Sequence, residues 1–204
     1  MNPLINSLKK TLGEERLLRL TRVKIGIGGA GGLGSNAAMH LVRSGCQNLL
    51  IVDFDRIEPS NLNRQFYFAD QVGWFKVEAL AENLKRINPE LQLGIDTTRI
   101  TKDNVSSLFA DCDLWIEAFD KAEVKKFFVE AAIRLGKQVV SASGLAGWGD
   151  ADALTTHQIN SKLVIIGDLK SEAAEHKPPM SPRVGIAAAK EADTVLTWIL
   201  GQEA

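Results

Sequence analysis

The chain has 204 residues, of which 45% are hydrophobic and 24% charged, with a net charge of −1. That is room for one α/β unit with a sizeable core, and the charge balance gives no broad basic footprint for nucleic acid or an anionic membrane. Cys46 and Cys112 stand outside any CxxC pair, no signal-peptide core opens the chain, and no apolar run approaches the roughly 18 residues that span a bilayer, so the expectation is a soluble cytoplasmic protein.

Leucines spaced among charges over 4–20 predict an amphipathic helix or a pair of helices lying on the domain. Val23 to Ile27 reads as a short buried strand, followed by a glycine-rich turn, Gly28 to Gly34, and a helix over 35–44 ending near Gly45. Leu49 to Val52 is continuously apolar, the pattern of a strand covered on both faces, and Asp53 closes it. Residues 55–73 lack apolar periodicity and read as a long loop. A helix over 74–87 is stopped by Asn88-Pro89.

Leu91 to Ile95 is the next strand, 102–109 a short helix, and Asp113 to Ile116 a further strand. A helix over 121–135 is capped by Gly136, and its Lys121, Lys125 and Lys126 read as a solvated face. Val139 to Ala142, 152–159 and Lys162 to Ile166 read as strands, the last two joined tightly and therefore antiparallel. A polar loop over 168–183 and a helix over 184–200 follow. The alternation predicts a doubly wound, Rossmann-like α/β fold with a mostly parallel sheet and antiparallel strands toward the C-terminal half. One unit over 1–204 is expected: a helical segment to 20, a nucleotide-binding half over 21–150, and strands, loop and final helix over 151–204.

VKIGIGGAGGLGS places glycines between a strand and a helix. Glycine there permits positive φ and lets backbone N–H groups approach a phosphate at the helix N-terminus. Two registers fit GxGxxG, Gly26/Gly28/Gly31 and Gly29/Gly31/Gly34; the second is preferred because the helix starts just after it, and Gly32 lies inside it. Asp53 follows at the distance where an acid meets ribose hydroxyls. The turn alone says nucleotide without saying which one.

The segment DFDRIEPSNLNRQFYF, residues 53–68, favours a triphosphate over a nicotinamide cofactor. Arg64 is a planar fork for phosphate oxygens, Asn61 and Gln65 add neutral hydrogen bonds, and Lys76 is a point charge at the next helix. Asp120, at the end of the fourth strand, stands where a carboxylate holds Mg²⁺ between phosphates.

With the GxGGLGS turn before it and the lysine and FD pair after it, D-x-D-(x)5-NLNRQF resembles the ATP-binding core of the ThiF/MoeB/HesA family of the ubiquitin-activating-enzyme superfamily. The likeness covers about 20–166 and the final helix with its PRVGIAAAKEA. It implies Asp53 and Asp55 at the nucleotide, Asn61, Arg64 and Lys76 on phosphates, Gln65 behind them, and Asp120 on Mg²⁺. The implied reaction is ATP-dependent adenylation of a carboxylate, most like the short ThiF-type proteins of thiamine biosynthesis, whose partner is the sulfur carrier ThiS ending in Gly-Gly. A homodimer is also implied, with the apolar N-terminal helix available for it.

This sequence lacks the paired CxxC of zinc-bearing relatives, so no zinc is expected. The 168–183 loop has no cysteine, so chemistry is expected to stop at the adenylate, with Cys46 and Cys112 as small core or near-surface residues. The family's N-terminal RYxRQ-like arginine motif is absent, leaving Arg16, Arg19 and Arg22 nearby. Rival readings are the same chemistry on a molybdopterin carrier or a modified tRNA adenosine, an NAD-dependent oxidoreductase, and a non-catalytic nucleotide-binding subunit.

Overall fold

The apolar runs form one seven-stranded sheet in the computed structural model, which describes residues 2–201. Residues 1 and 202–204, the ends of the unit expected over 1–204, lie outside the described residues. In chain order the elements are α1 (Pro3–Leu12), α2 (Glu14–Arg22), β1 (Lys24–Gly28), α3 (Gly32–Arg43), β2 (Asn48–Val52), α4 (Lys76–Ile87) and β3 (Gln92–Asp96). They continue with α5 (Val105–Leu108), β4 (Leu114–Glu117), α6 (Ala122–Arg134), β5 (Gln138–Ala142), β6 (Thr155–Gln158), β7 (Leu163–Gly167) and α7 (Ser181–Leu200).

The strand order is β3-β2-β1-β4-β5-β7-β6, parallel throughout except for β6, which runs antiparallel to β7. The chain winds outward from β1 to β3 and then returns to β1's other side with β4, so the point of reversal lies between β1 and β4. One core holds α3, α4 and α7 against one face of the sheet; a second, aromatic core of Phe109, Trp115 and Phe128 holds α5 and α6 against the other. The fold is the doubly wound α/β architecture expected, antiparallel C-terminal strand included.

The alternating glycines of β1 answer to that second core. A Cβ on Gly26 would stand 2.5 Å from Phe109, and one on Gly28 would stand 2.6 Å from Phe128. These glycines make room for rings, which is why the phosphate turn has to be found further on.

The N-terminal stretch takes the second of the two forms expected, a pair of helices, broken at Gly13, whose φ of 82° interrupts the helical path. Part of its apolar face packs within the chain: Leu17 and Leu20 are buried, and Leu8, Leu17 and Leu20 close over Gly45, while α1 buries no residue and Leu18 is exposed. Arg19 Nη2 donates to the Ile199 carbonyl, tying α2 to the end of α7. Several boundaries differ from expectation. The helix after the glycine turn starts at Gly32 and not at Ser35, because tertiary contacts override glycine's poor propensity. The strand expected over 152–159 shortens to Thr155–Gln158, since left-handed Gly147, Gly149 and Asp150 and a 3₁₀ turn over Ala151–Ala153 occupy its approach. No described helix is long and apolar enough to cross a membrane.

Candidate active site

The parallel strands β1, β2 and β4 end together at Gly28, Val52 and Glu117, and the residues that follow them share one edge of the sheet. Gly29 leaves β1 with φ 97°, a conformation that favours glycine, and its N–H donates to the Val52 carbonyl at 2.9 Å. A Cβ on Gly34 would stand 1.9 Å from the Gly29 carbonyl oxygen, so the helix can approach the turn only without one. Gly31 is the N-cap of α3, and no side chain caps it. The unfilled N–H groups of a 12-residue helix thus open at this edge. The turn occupies the Gly29/Gly31/Gly34 register.

Asp53 is half-buried and turned into this turn. Its Oδ2 accepts the Ala30 N–H at 2.6 Å and its Oδ1 accepts the Asp55 N–H at 2.8 Å. Burial raises its carboxyl above the ordinary range, opposed by the Ala30 hydrogen bond and the nearby Lys76 charge. Tyr67, the one tyrosine of the chain, donates its hydroxyl to the Ala30 carbonyl at 2.7 Å. Ala30 is therefore gripped from both sides.

The 61–66 loop is sewn onto the same turn. Asn36 Nδ2 donates to the Gly32 carbonyl at 2.6 Å and to the Arg64 carbonyl at 2.9 Å. Ser35 Oγ donates to the Gly31 carbonyl at 2.6 Å and accepts the Phe66 N–H at 3.0 Å. These bonds lay Arg64 over the glycines: its Cγ is 3.5 Å from where a Gly32 Cβ would be. Gln65 Nε2 lies 3.9 Å from the corresponding point on Gly31, and Gln65 Oε1 is buried with no hydrogen-bond partner among the described residues. Asn61 holds the loop itself, its Oδ1 accepting the Glu58 N–H at 3.1 Å.

Lys76 opens α4 and is buried, with Nζ 2.9 Å from Asp55 Oδ2. The Lys76 charge is thus paired with Asp55. Across the turn, the Ala118 N–H donates to the Gly28 carbonyl at 2.9 Å, and Phe119 packs against Gly28 and Gly29. Asp120 follows, exposed, just beyond the end of β4.

The structure therefore brings Gly29, Gly31, Gly32, Gly34, Asp53, Arg64 and Gln65 together around the turn, Arg64 linked to it through Asn36, with Lys76 and Asp55 joined to each other beside Asp53 and Asp120 on the facing strand end. Ser35, Asn36 and Tyr67 were missed in the sequence. Their signal was polar residues inside apolar runs, which alone does not say what they hold. Lys125, read as solvated, turns inward to Glu117. Cys46 and Cys112 are both buried, and burial pushes each thiol up to about 12, far from the thiolate that chemistry needs.

Among the described residues no three His, Cys, Asp or Glu side chains are grouped to hold a metal. Asp120 alone, exposed beside the glycine turn, fits a cation whose other ligands are phosphate oxygens and water, the usual situation of Mg²⁺. It does not fit an all-protein cage.

Residues 4–203 match the ThiF family. The adenylyltransferase and sulfurtransferase UBA4 of Candida glabrata is 37% identical over 143 residues, covering 70% of this chain and 33% of that protein. The adenylyltransferase and sulfurtransferase MOCS3 of Culex quinquefasciatus is 30% identical over 135 residues, covering 66% of this chain and 31% of that protein. The chain thus spans about a third of the length of these curated relatives. Among solved structures, E. coli tRNA N6-threonylcarbamoyladenosine dehydratase, TcdA, in complex with AMP superimposes with a TM-score of 0.86 at 21% identity, over 96% of this chain and 93% of that one. E. coli MccB with ATP gives a TM-score of 0.71 at 22% identity, over 90% and 58%. At such identities the structural likeness is one of fold.

Proposed function

The chain belongs to the ThiF family, and on that premise we propose that it is an enzyme that adenylates a carboxylate with Mg-ATP. The observation that carries this reading is the sewing of the Arg64–Gln65 segment onto the glycine turn through Asn36 and Ser35. A dinucleotide turn needs no guanidinium above it, whereas a triphosphate, with more charge and more free oxygens, can use its fork. Asp53 takes the ribose, the α3 N-terminus and Arg64 take phosphates, and Lys76 joins them by exchanging Asp55 for a phosphate oxygen. Asp120 holds the magnesium, which when bound neutralises charge on the leaving phosphates.

The substrate carboxylate attacks the α-phosphorus. A carboxylate O–P bond forms, the α–β phosphoanhydride bond breaks, and pyrophosphate leaves with the electron pair. No protein nucleophile takes part, so catalysis is positioning and charge stabilisation. The buried, high-pKa thiols of Cys46 and Cys112 support a reaction that stops at the adenylate.

The carboxylate belongs to a macromolecule, and two classes are in contention: a ubiquitin-like sulfur carrier ending in Gly-Gly, and a carboxylate on a modified tRNA adenosine. The relatives are named for adenylyl and sulfur transfer or for tRNA modification. None of those names carries thiamine synthesis, so the ThiS-specific expectation gives way to the broader alternative that stood beside it. A homodimer remains part of the proposal, with the apolar residues of the N-terminal helices that are not buried within the chain, Leu18 among them, available for it.

ATP–pyrophosphate exchange with purified protein and Mg²⁺ tests the reading. Exchange is expected only with a matching acceptor, and acceptors ending in Gly-Gly and threonylcarbamoyl-modified tRNA are the two arms. Tight ATP binding with exchange in neither arm would replace the enzyme by a nucleotide-binding subunit.

A further inference from the structure

Glu117 ends β4 as the register partner of Gly28, and it is fully buried. A carboxylate at that depth needs a full set of donors. Its Oε1 accepts the Phe119 N–H at 2.7 Å, and Lys125 Nζ donates to Oε1 at 3.0 Å and to Oε2 at 2.9 Å. Ser141 Oγ donates to Oε2 as well, and Lys125 Nζ also reaches the Ala142 carbonyl at 3.0 Å. Glu191 of α7 completes the cluster. It is fully buried, and neither of its carboxylate oxygens has a hydrogen-bond partner among the described residues. Burial, then the Glu117 charge, pushes the Glu191 carboxyl well above its ordinary range against the opposing Lys125.

Stability alone is a weak account of this cluster, because a buried ion pair adds little over apolar packing of the same volume. What Glu117 grips is more telling. Its bond to the Phe119 N–H lies one residue before Asp120. The same short segment walls the glycine turn: the Ala118 carbonyl oxygen lies 2.8 Å from where a Cβ on Gly29 would be.

We propose that Glu117 is a positioning residue for adenylation: by holding the Phe119 amide, with Lys125 and Ser141 orienting its carboxylate, it fixes the turn after β4 and so the place of Asp120. The proposal rests on the reading of Asp120 as the magnesium-bearing carboxylate.

Two double variants test it, Glu117→Gln/Lys125→Met and Glu117→Met/Lys125→Met. Both remove the two charges and keep the volume, but only glutamine can still accept the Phe119 N–H. The methionine variant should exchange the Phe119 amide hydrogen at least about tenfold faster, and should need about tenfold more Mg²⁺ for half-maximal pyrophosphate exchange. Its rate at saturating Mg²⁺ should stay near normal. The glutamine variant should stay within about threefold of wild type on both measures. Equal amide exchange or equal Mg²⁺ dependence in the two variants overturns the proposal, whatever stability they share in losing. Should neither fold, Ser141→Ala removes one of the donors that orient Glu117 and is read by the same measures, where no change from wild type overturns it. Amide exchange needs no ATP, so the positioning claim is decided even if wild type shows no pyrophosphate exchange, a result that would instead remove the adenylation reading.

Discussion

Arg64 and Gly34 sit within the same constellation and stand for two different kinds of necessity. Arg64 Nη1 rests on loop groups, the Ser60 carbonyl at 3.1 Å and Asn63 Oδ1 at 2.8 Å, and is not part of the core. Gly34 lets the helix touch the turn, since its Cβ would collide with the Gly29 carbonyl. Replacing the glycine would attack the fold; replacing the arginine should leave the fold and remove chemistry. A preorganised cation at a developing charge is worth about 2.7–4 kcal/mol. Arg64→Ala should therefore lower pyrophosphate exchange by about a hundredfold or more, with an unchanged circular dichroism spectrum and urea midpoint. An unchanged exchange rate would remove Arg64 from the site.

The crossing from β7 to α7 depends on one clamp. Asp168 accepts the Lys170 N–H at 2.9 Å, the Ser171 N–H at 2.7 Å and the Ser171 hydroxyl at 2.7 Å, and lies 2.5 Å from Arg183 Nη2. Arg183, buried in the first turn of α7, also donates to the Gly149 and Asp150 carbonyls at 3.0 and 2.9 Å. The clamp holds two non-glycine residues in left-handed conformations, Asp150 at φ 44° and Leu169 at φ 59°. Burial raises the Asp168 carboxyl, but the Ser171 and Lys170 hydrogen bonds and the Arg183 pair outweigh it and hold it far below its ordinary 3.8. A depressed acid contributes stability above its unfolded pKa and loses it as pH falls through the folded one. Asp168→Asn should therefore cost about 3 kcal/mol near neutral pH, the lower end for a broken buried pair. That gap to wild type, read by urea unfolding, should narrow as pH drops below 3.8. A gap constant with pH would mean the charge is not what matters. This clamp was not legible in the sequence: the 168–183 stretch reads as a polar loop, and the acid and arginine meet only because β7 and α7 fold back on each other. The strands were legible because continuous apolar runs have few alternatives. The glycine turn was legible because positive φ at Gly29 and the close approach at Gly34 restrict those positions to glycine. The Glu117 cluster was not, because Ser141 and Glu191 arrive from β5 and α7 across the sheet and nothing local marks them.

At the scale of the whole molecule, the candidate site exists only in the folded chain. Its parts come from the β1–α3 turn, the end of β2, the 53–65 loop, the start of α4 and the end of β4, and α7 reaches it too, since Val184 Cγ1 lies 2.9 Å from where a Gly32 Cβ would stand. The unfolded chain scatters these groups and has no comparable affinity for a nucleotide. A ligand bound by one state alone stabilises that state by mass action, about 2.7 kcal/mol at a hundred times its dissociation constant. In a chain of this length 1 kcal/mol moves the melting temperature by about 2–4 °C. Mg-ATP at that ratio should then raise the midpoint by about 5–10 °C, continuing upward with the logarithm of concentration. Scanning calorimetry of the chain across a nucleotide series checks this without any acceptor substrate, so it separates binding from turnover. NAD serves as the counter-ligand. A shift with ATP and none with NAD favours the triphosphate site built around Arg64. A shift with NAD and none with ATP would return the glycine turn to a dinucleotide role. No shift with either up to millimolar concentration would mean that the Lys76–Asp55 pair, 2.9 Å apart and already satisfied, does not open for phosphate in the isolated chain.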